Sequence, residues 1–201
     1  MKRLLVMTLL FFSVAAANAQ TVKVSFGVKG IGIGTLPKTE IAPSAGLQFG
    51  GGGGAFVGMR LWNYLGIQAE ALYGFQTASY NTTSLGNQTW KSNQSYMYIP
   101  IVLQGWVGRN FALELGYQQA IAISGTLSND SGVKQDEGIL DYGSFIAGMN
   151  INMGKVVFLN LRYTLALQNS YVMTTAPSKN MGFQVGLGFR FFSSKKSVFV
   201  E

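Results

Sequence analysis

Apolar and polar residues alternate with a period of two along most of this chain, as in strands whose successive side chains point to opposite faces of a sheet. Eight segments carry the pattern. In Met181 to Phe192, one face holds Met181, Phe183, Val185, Leu187, Phe189 and Phe191, and the other holds Gly182, Gln184, Gly186, Gly188 and Arg190. Leu65 to Gln76 places Leu65, Ile67, Ala69, Ala71, Tyr73 and Phe75 opposite Gln68, Glu70, Leu72 and Gln76. Val157 to Gln168 places Val157, Leu159, Leu161, Tyr163, Leu165 and Leu167 opposite Asn160, Arg162, Thr164 and Gln168. Tyr96 to Val107, Asn110 to Ile123 and Asp141 to Asn152 repeat the design. Val22 to Ile33 starts cleanly, with Val24, Phe26 and Val28 opposite Lys23, Ser25 and Lys29, and then slips in phase near Gly30, as a bulge would cause. Ala55 to Trp62 alternates, whereas Gly50–Gly54 before it has no pattern.

The connections alternate in length. Thr35–Ser44, Thr77–Ser95, Ser124–Gly138 and Asn169–Lys179 are long and polar; Asn63-Tyr64, Gly108-Arg109 and Met153–Lys155 are tight. Eight strands then give four long and three short connections, with both termini on the short-turn side. Long extracellular loops, short periplasmic turns and an even strand number characterise barrels of the bacterial outer membrane. No connection has the 3.6-residue apolar period of a crossover helix. The predicted fold is therefore all-β: an eight-stranded antiparallel up-and-down transmembrane β-barrel. Aromatics near predicted strand ends suggest interfacial girdles, with Trp62, Tyr64 and Trp106 by short turns and Tyr80, Tyr96, Tyr98 and Tyr171 by long loops. Pro100 inside a strand cannot donate to the ladder, and a bulge could accommodate it.

The first residues follow another rule. Lys2 and Arg3 precede an apolar stretch, Leu4 to Val14, and Ala17-Asn18-Ala19 is a small-x-small cleavage site. The organisation expected is a cleaved signal peptide at 1–19, a barrel at 20–192 and a short C-terminal tail at 193–201. Composition agrees with a membrane exterior: 48% of residues are hydrophobic and only 11% charged, against about 25% in ordinary soluble domains. No later apolar run reaches the ~18 residues of a spanning helix. The formal charge is +7, and losing Lys2 and Arg3 leaves +5, compatible with anionic lipid around the barrel. No basic run interleaves with aromatics as a nucleic-acid face would.

The segments Val24–Gly32, Gly66–Tyr73, Tyr98–Leu103, Ala112–Gly116, Asn160–Tyr163 and Gly186–Phe191 resemble the PorT-like outer-membrane β-barrel family common in Bacteroidetes. The resemblance spans nearly all of the mature chain and implies an outer-membrane location. An Ile-Pro-aliphatic run is usual in that family's fourth strand, which accommodates Pro100. One branch of the family assists protein secretion and gliding; no residue here singles out that branch. The last strand also looks like the signal read by the barrel-insertion machinery, with Gln184, Gly186, Phe189 and Phe191 at its spacing. Such signals often end the chain, whereas here Ser193 to Glu201 follows.

Candidate chemistry is sparse. The chain has no His and no Cys, so histidine acid–base catalysis, thiol nucleophiles and the commonest metal sites are absent. Gly30–Gly34 and Gly50–Gly54 lack the Lys-Ser/Thr and following helix of a phosphate loop, and glycine suits the crowded, curved wall of a narrow barrel. The Asn-x-Ser/Thr triplets at Asn81, Asn87 and Asn93 read as polar loop composition. Alternation puts Glu70, Glu114, Arg162 and Arg190 on the inner face, with Lys29 and Arg60 extending the set. Unpaired charge in a low-dielectric lumen is costly, so an interior Glu70/Glu114–Arg162/Arg190 network is expected.

A barrel of eight strands is filled by its own side chains. The reading is a non-enzymatic outer-membrane protein without a cofactor, structural or acting through its extracellular loops, with an accessory role in protein secretion as the narrower form. Its partners would be outer-membrane lipid, the insertion machinery and a protein met by loop 77–95, where Trp90 and Lys91 stand amid Asn, Thr and Ser. The alternative is a lipocalin-like barrel binding a small apolar ligand, which would be apolar inside and polar outside. An outer-membrane enzyme would need a Ser or Asp mechanism.

Overall fold

The structure is a computed structural model that describes residues 22–38, 48–61, 64–82, 88–129, 134–136, 139–167, 171–173 and 176–196. The expected leader and its cleavage site, Trp62, and parts of the long connections lie outside the described residues. Eight long strands form the wall: β1 (Val22–Lys38), β2 (Gln48–Leu61), β3 (Leu65–Thr82), β4 (Gln88–Val107), β5 (Phe111–Asn129), β7 (Tyr142–Asn152), β8 (Val157–Ala166) and β10 (Ala176–Lys196). Two three-residue strands, β6 (Lys134–Asp136) and β9 (Tyr171–Met173), attach to β5 and β10. Each long strand pairs antiparallel with its sequence neighbour, and β1 pairs with β10, which closes the sheet into an up-and-down barrel.

The faces follow the alternation in the sequence. Leu103, Leu113, Leu115, Phe145, Val185 and Phe189 project outward, Leu115 being 66% exposed, while Gln68, Glu70, Gln104, Glu114, Gln118, Asn160, Arg162 and Gln184 are buried inside. In water such an exterior would drive association; in lipid it is the solvated face. The wall ends at tight turns on one side. Gly108 (φ 71°) and Gly154 (φ 115°) hold the left-handed backbone that the turns after β4 and β7 need.

Three expectations change along the strands. The phase of β1 does not slip near Gly30: Lys29, Ile31, Ile33 and Thr35 all face inward, and it is the chemistry of the inner face that turns apolar. The register shift lies between Phe26 and Gly27, where Phe192 and then Arg190 are the partners and β10 carries the extra residue. Pro100 needs no bulge. The β3–β4 ladder steps from Ala69↔Ile101 to Leu72↔Tyr98 in unchanged register, omitting only the pairs beside the proline. The glycine run is strand, paired with β1 and β3. A Cβ at Gly50, Gly52 or Gly54 would strike the backbone oxygens of Phe75, Tyr73 and Ala71, so this part of the wall closes only without side chains.

The strands also run further than expected. Much of Thr77–Ser95 is strand, because β3 and β4 stay paired up to Thr82↔Gln88 and β4 pairs with β5 up to Trp90↔Asn129. The β7–β8 pair stops at Ser144↔Ala166, so the long-loop rim is tall at β3–β4–β5 and low at β7–β8. At the opposite end β10 continues through Lys196, opposite Val22, so Ser193–Lys196 belong to the wall rather than to a tail.

Candidate functional site in the barrel lumen

The lumen is layered. Toward the long loops, Ile31, Ile33, Leu72, Tyr96, Tyr98, Ala120, Tyr142 and Ala166 form a packed apolar cluster. Tyr96 stacks on Tyr98 at 5.8 Å and meets Tyr142 edge-on at 5.5 Å. The Tyr98 hydroxyl accepts from the Gln76 amide, and Gln76 Oε1 accepts from the Thr35 hydroxyl at 3.1 Å. Tyr96 and Tyr98 are therefore core residues and not girdle residues: their parity matches Val102 and Gln104, and parity outweighs nearness to a loop. Trp106 is also buried within the barrel, whereas Tyr64 is exposed. The side chains of Tyr80 and Tyr171 lie outside the described residues. The exposed aromatics of the wall include Phe49, Phe75, Phe145 and Phe191.

At mid-height the lumen is ionic. Arg162 on β8 donates through Nε to Glu114 Oε2 on β5 at 2.7 Å, and through Nη1 and Nη2 to Glu70 on β3 at 3.0 and 2.6 Å. Lys29 on β1 donates to Glu70 Oε2 at 3.0 Å and to Asn160 Oδ1 at 2.8 Å, and Asn160 Nδ2 donates to Glu114 Oε2 at 2.7 Å. These bonds close a ring: Lys29, Glu70, Arg162, Glu114, Asn160 and back to Lys29. The four charged side chains have no solvent exposure and sum to zero. Gln68 donates to Glu70 at 2.7 Å and Gln104 to Glu114 at 2.8 Å, so the carboxylates are further satisfied. Paired charges with a full set of hydrogen bonds are the arrangement a buried ionic layer requires.

Arg190 stands outside this ring, contrary to expectation. It lies one layer toward the short turns, with its guanidinium 4.5 Å from the Phe158 ring centroid and Nη2 donating to Asn152 Oδ1 at 2.7 Å. The reason is steric: Phe158 meets Phe56 edge-on at 5.2 Å across the lumen, and this aromatic pair separates Arg190 from the carboxylates above it. Arg60 is in the same lower layer, its guanidinium 4.0 Å from the Trp106 ring centroid. Lys29, named only as an extension of the set, and Asn160 complete the ring instead. Their signal was parity: each is polar at an inward position. In the last strand, Gln184 faces the lumen and donates to Gln118 at 3.1 Å, while Phe189 and Phe191 face outward. A Cβ on Gly186 would press into the Lys29 side chain. Among the described residues no group of acids, His or Cys could hold a metal ion.

A closed antiparallel wall, apolar outside and ionic within, with tight turns at one end and long connections at the other, defines a transmembrane β-barrel of outer-membrane type. It reverses the face chemistry of a lipocalin-type barrel. The chain belongs to the outer membrane protein beta-barrel domain family, whose model matches residues 4–191. Among solved structures it is similar to Neisserial surface protein A, with 11% identity over 84% of this chain and 99% of that one and a TM-score of 0.56. Weaker likenesses are to Ail, the attachment invasion locus protein of Yersinia pestis (12% identity, 85% and 99% covered, TM-score 0.45), and to OprG of Pseudomonas aeruginosa (9%, 86% and 96%, TM-score 0.40). These likenesses concern the fold. Comparison with curated protein sequences finds no match. The protein is an outer-membrane barrel.

Proposed function

We propose that this barrel is non-enzymatic and works from its extracellular side, by contact between the segment Thr77–Ser95 and a protein partner. The observation that carries this reading is the closed Lys29–Glu70–Arg162–Glu114–Asn160 ring. It fills the lumen at mid-height and neutralises its own charges, so this layer offers neither a reactive group nor space for a ligand. The tall β3–β4–β5 wall gives Thr77–Ser95 a rigid base, and rigidly based loops are where recognition concentrates. The narrower form, an accessory of protein secretion, is supported by the resemblance to the PorT-like family. Met1–Ala19 would direct export and be removed before Gln20. Gln184, Gly186, Phe189 and Phe191 would serve as the signal for the insertion machinery; F189A/F191A should then accumulate unassembled in the periplasm, and normal assembly would dismiss that role.

The test has two arms. In planar bilayers the purified barrel should give no stepwise conductance, and discrete open-pore steps would overturn the plugged-lumen reading. In cells, a photo-crosslinker at Lys91 should trap one protein partner. Replacing 80–90 with a two-residue Asn-Gly turn, which keeps Lys91 and its crosslinker opposite Ser79, should abolish that product while the heat-dependent gel shift of a folded barrel survives. A strain carrying the shortened barrel should also export fewer proteins to the medium if the secretion reading holds; unchanged export would remove it.

A further inference from the structure

At the short-turn end the lumen opens into a cavity of about 1110 Å³. Five cationic side chains line it, Lys23, Arg60, Arg109, Lys155 and Arg190, and among the described residues no acidic side chain does. The imbalance is built into the chain. Of its eight acids, Glu70 and Glu114 are neutralised in the ring above, Asp136 on β6 and Asp141 before β7 lie toward the opposite end, and Glu40, Asp130 and Glu137 lie outside the described residues. Glu201 lies outside the described residues.

The two arginines are pre-positioned. Arg60 lies over the Trp106 ring and Arg190 over the Phe158 ring, which holds each guanidinium in place. Arg60 Nη2 donates to the Gly108 carbonyl at 2.8 Å, and Arg190 Nη2 to Asn152 Oδ1 at 2.7 Å. Their positive charges act on each other. Holding like charges together beside aromatic rings costs free energy that an anion between them would offset. An independent observation lies in the same cavity: the buried Trp106 Nε1, a donor only, has no hydrogen-bond partner.

We infer that this periplasmic vestibule binds a phosphate-class anion of charge two or more. Arg60 and Arg190 grip paired oxygens, and Arg109 and Lys155 on the exposed turns draw the anion in. Guanidinium forks match the paired oxygens of a phosphate. A monovalent carboxylate would match only one of the two guanidinium forks. The volume is slightly above the ~300–1,000 Å³ usual for small-ligand sites. The source is either a soluble phosphorylated molecule of the periplasm or the headgroup of an anionic phospholipid in the adjacent leaflet.

The experiment is calorimetric titration of the folded full-length mature barrel, in nanodiscs of phosphatidylcholine, with inorganic pyrophosphate at low ionic strength. Saturable binding that weakens as salt rises is expected. R60Q and R190Q should each weaken it about tenfold or more, as loss of a charge-assisted pair does. Because those residues pack on rings, R109Q/K155Q provides a second readout without disturbing the lumen, with an expected loss of a few-fold; K91Q/K134Q at the far end should change nothing. Phosphatidylglycerol in the nanodisc that competes with pyrophosphate assigns the site to a lipid headgroup, and lack of competition assigns it to a soluble phosphate; both support the inference. No binding to the wild-type barrel, or equal binding by R60Q, R190Q and R109Q/K155Q, overturns it.

Discussion

Arg162→Met gives the sharpest test of the lumen ring. Methionine keeps much of the aliphatic volume and removes the one cation that touches both carboxylates. Glu70 would still hold Lys29 at 3.0 Å and Gln68 at 2.7 Å. Glu114 would keep only neutral donors, Gln104 at 2.8 Å and Asn160 at 2.7 Å. The burden therefore falls on Glu114, a fully buried carboxylate left without a cation. Removing one partner of a buried ion pair costs about 3–5 kcal/mol, or roughly two to four decades in the unfolding constant. The double variant R162M/E114Q leaves Lys29 with Glu70 as a balanced pair and should recover most of the loss, ending within about 1.5 kcal/mol of wild type. By contrast, R162M/E70Q leaves Lys29 and Glu114 joined only through Asn160 and should recover less. The assay is reversible urea unfolding in lipid vesicles, followed by tryptophan fluorescence and by gel mobility without boiling. A single variant within ~1 kcal/mol of wild type, or a double no more stable than the single, would refute the claim that charge pairing stabilises this lumen.

Leu115→Arg, beside the ring on the outer face, should destabilise the barrel by about 2–4 kcal/mol in vesicles, the range for a cation at mid-membrane; a barrel that normally faces water would lose almost nothing, so the same urea assay separates the two. Gly52→Ala should lower stability by about 1–3 kcal/mol or slow closure, because its Cβ would strike the Tyr73 backbone oxygen; an unchanged urea midpoint would show that the β2–β3 approach is looser than described. Gly188→Ala should cost a similar amount, since a Cβ there would enter the Phe158 ring, and it should also weaken pyrophosphate binding at Arg190, which rests on that ring. Loss of stability with unchanged binding would separate the aromatic pair from the vestibule.

The membrane-spanning part of the fold was legible because lipid and lumen impose opposite chemistries on alternate residues, so Met181–Phe192 or Val157–Gln168 could be read directly. Legibility failed where that contrast disappears. The inner face of β1 changes from Lys29 to Ile31 and Ile33, and parity that stayed constant looked like a slip. In Thr77–Ser95 both faces are polar, so hydrogen-bonded strand looked like loop. Of the expected network, Glu70, Glu114 and Arg162 meet. Arg190 does not, because strand parity fixes which face a side chain takes but not its height in the lumen, and Phe56 and Phe158 lie between. The five cations of the vestibule are spread from Lys23 to Arg190, and only the closed topology gathers them.

The ring has a bearing on how the barrel is made. Its members come from β1, β3, β5 and β8, and the ion pairs join residues 41, 48 and 92 positions apart. No single hairpin contains a complete pair, since each ion pair skips at least one intervening strand. A sheet built only as far as β7 would carry two acids, Glu70 and Glu114, with Lys29 as their one base, and only the arrival of β8 with Arg162, followed by the seam between β1 and β10, completes the ring. The ring thus acts as a latch for assembly: partial insertion is penalised, and the last pairing releases the penalty in one event. Folding of this wall should then be all-or-none, with seam closure, rather than collapse of the apolar exterior into lipid, as the committing step.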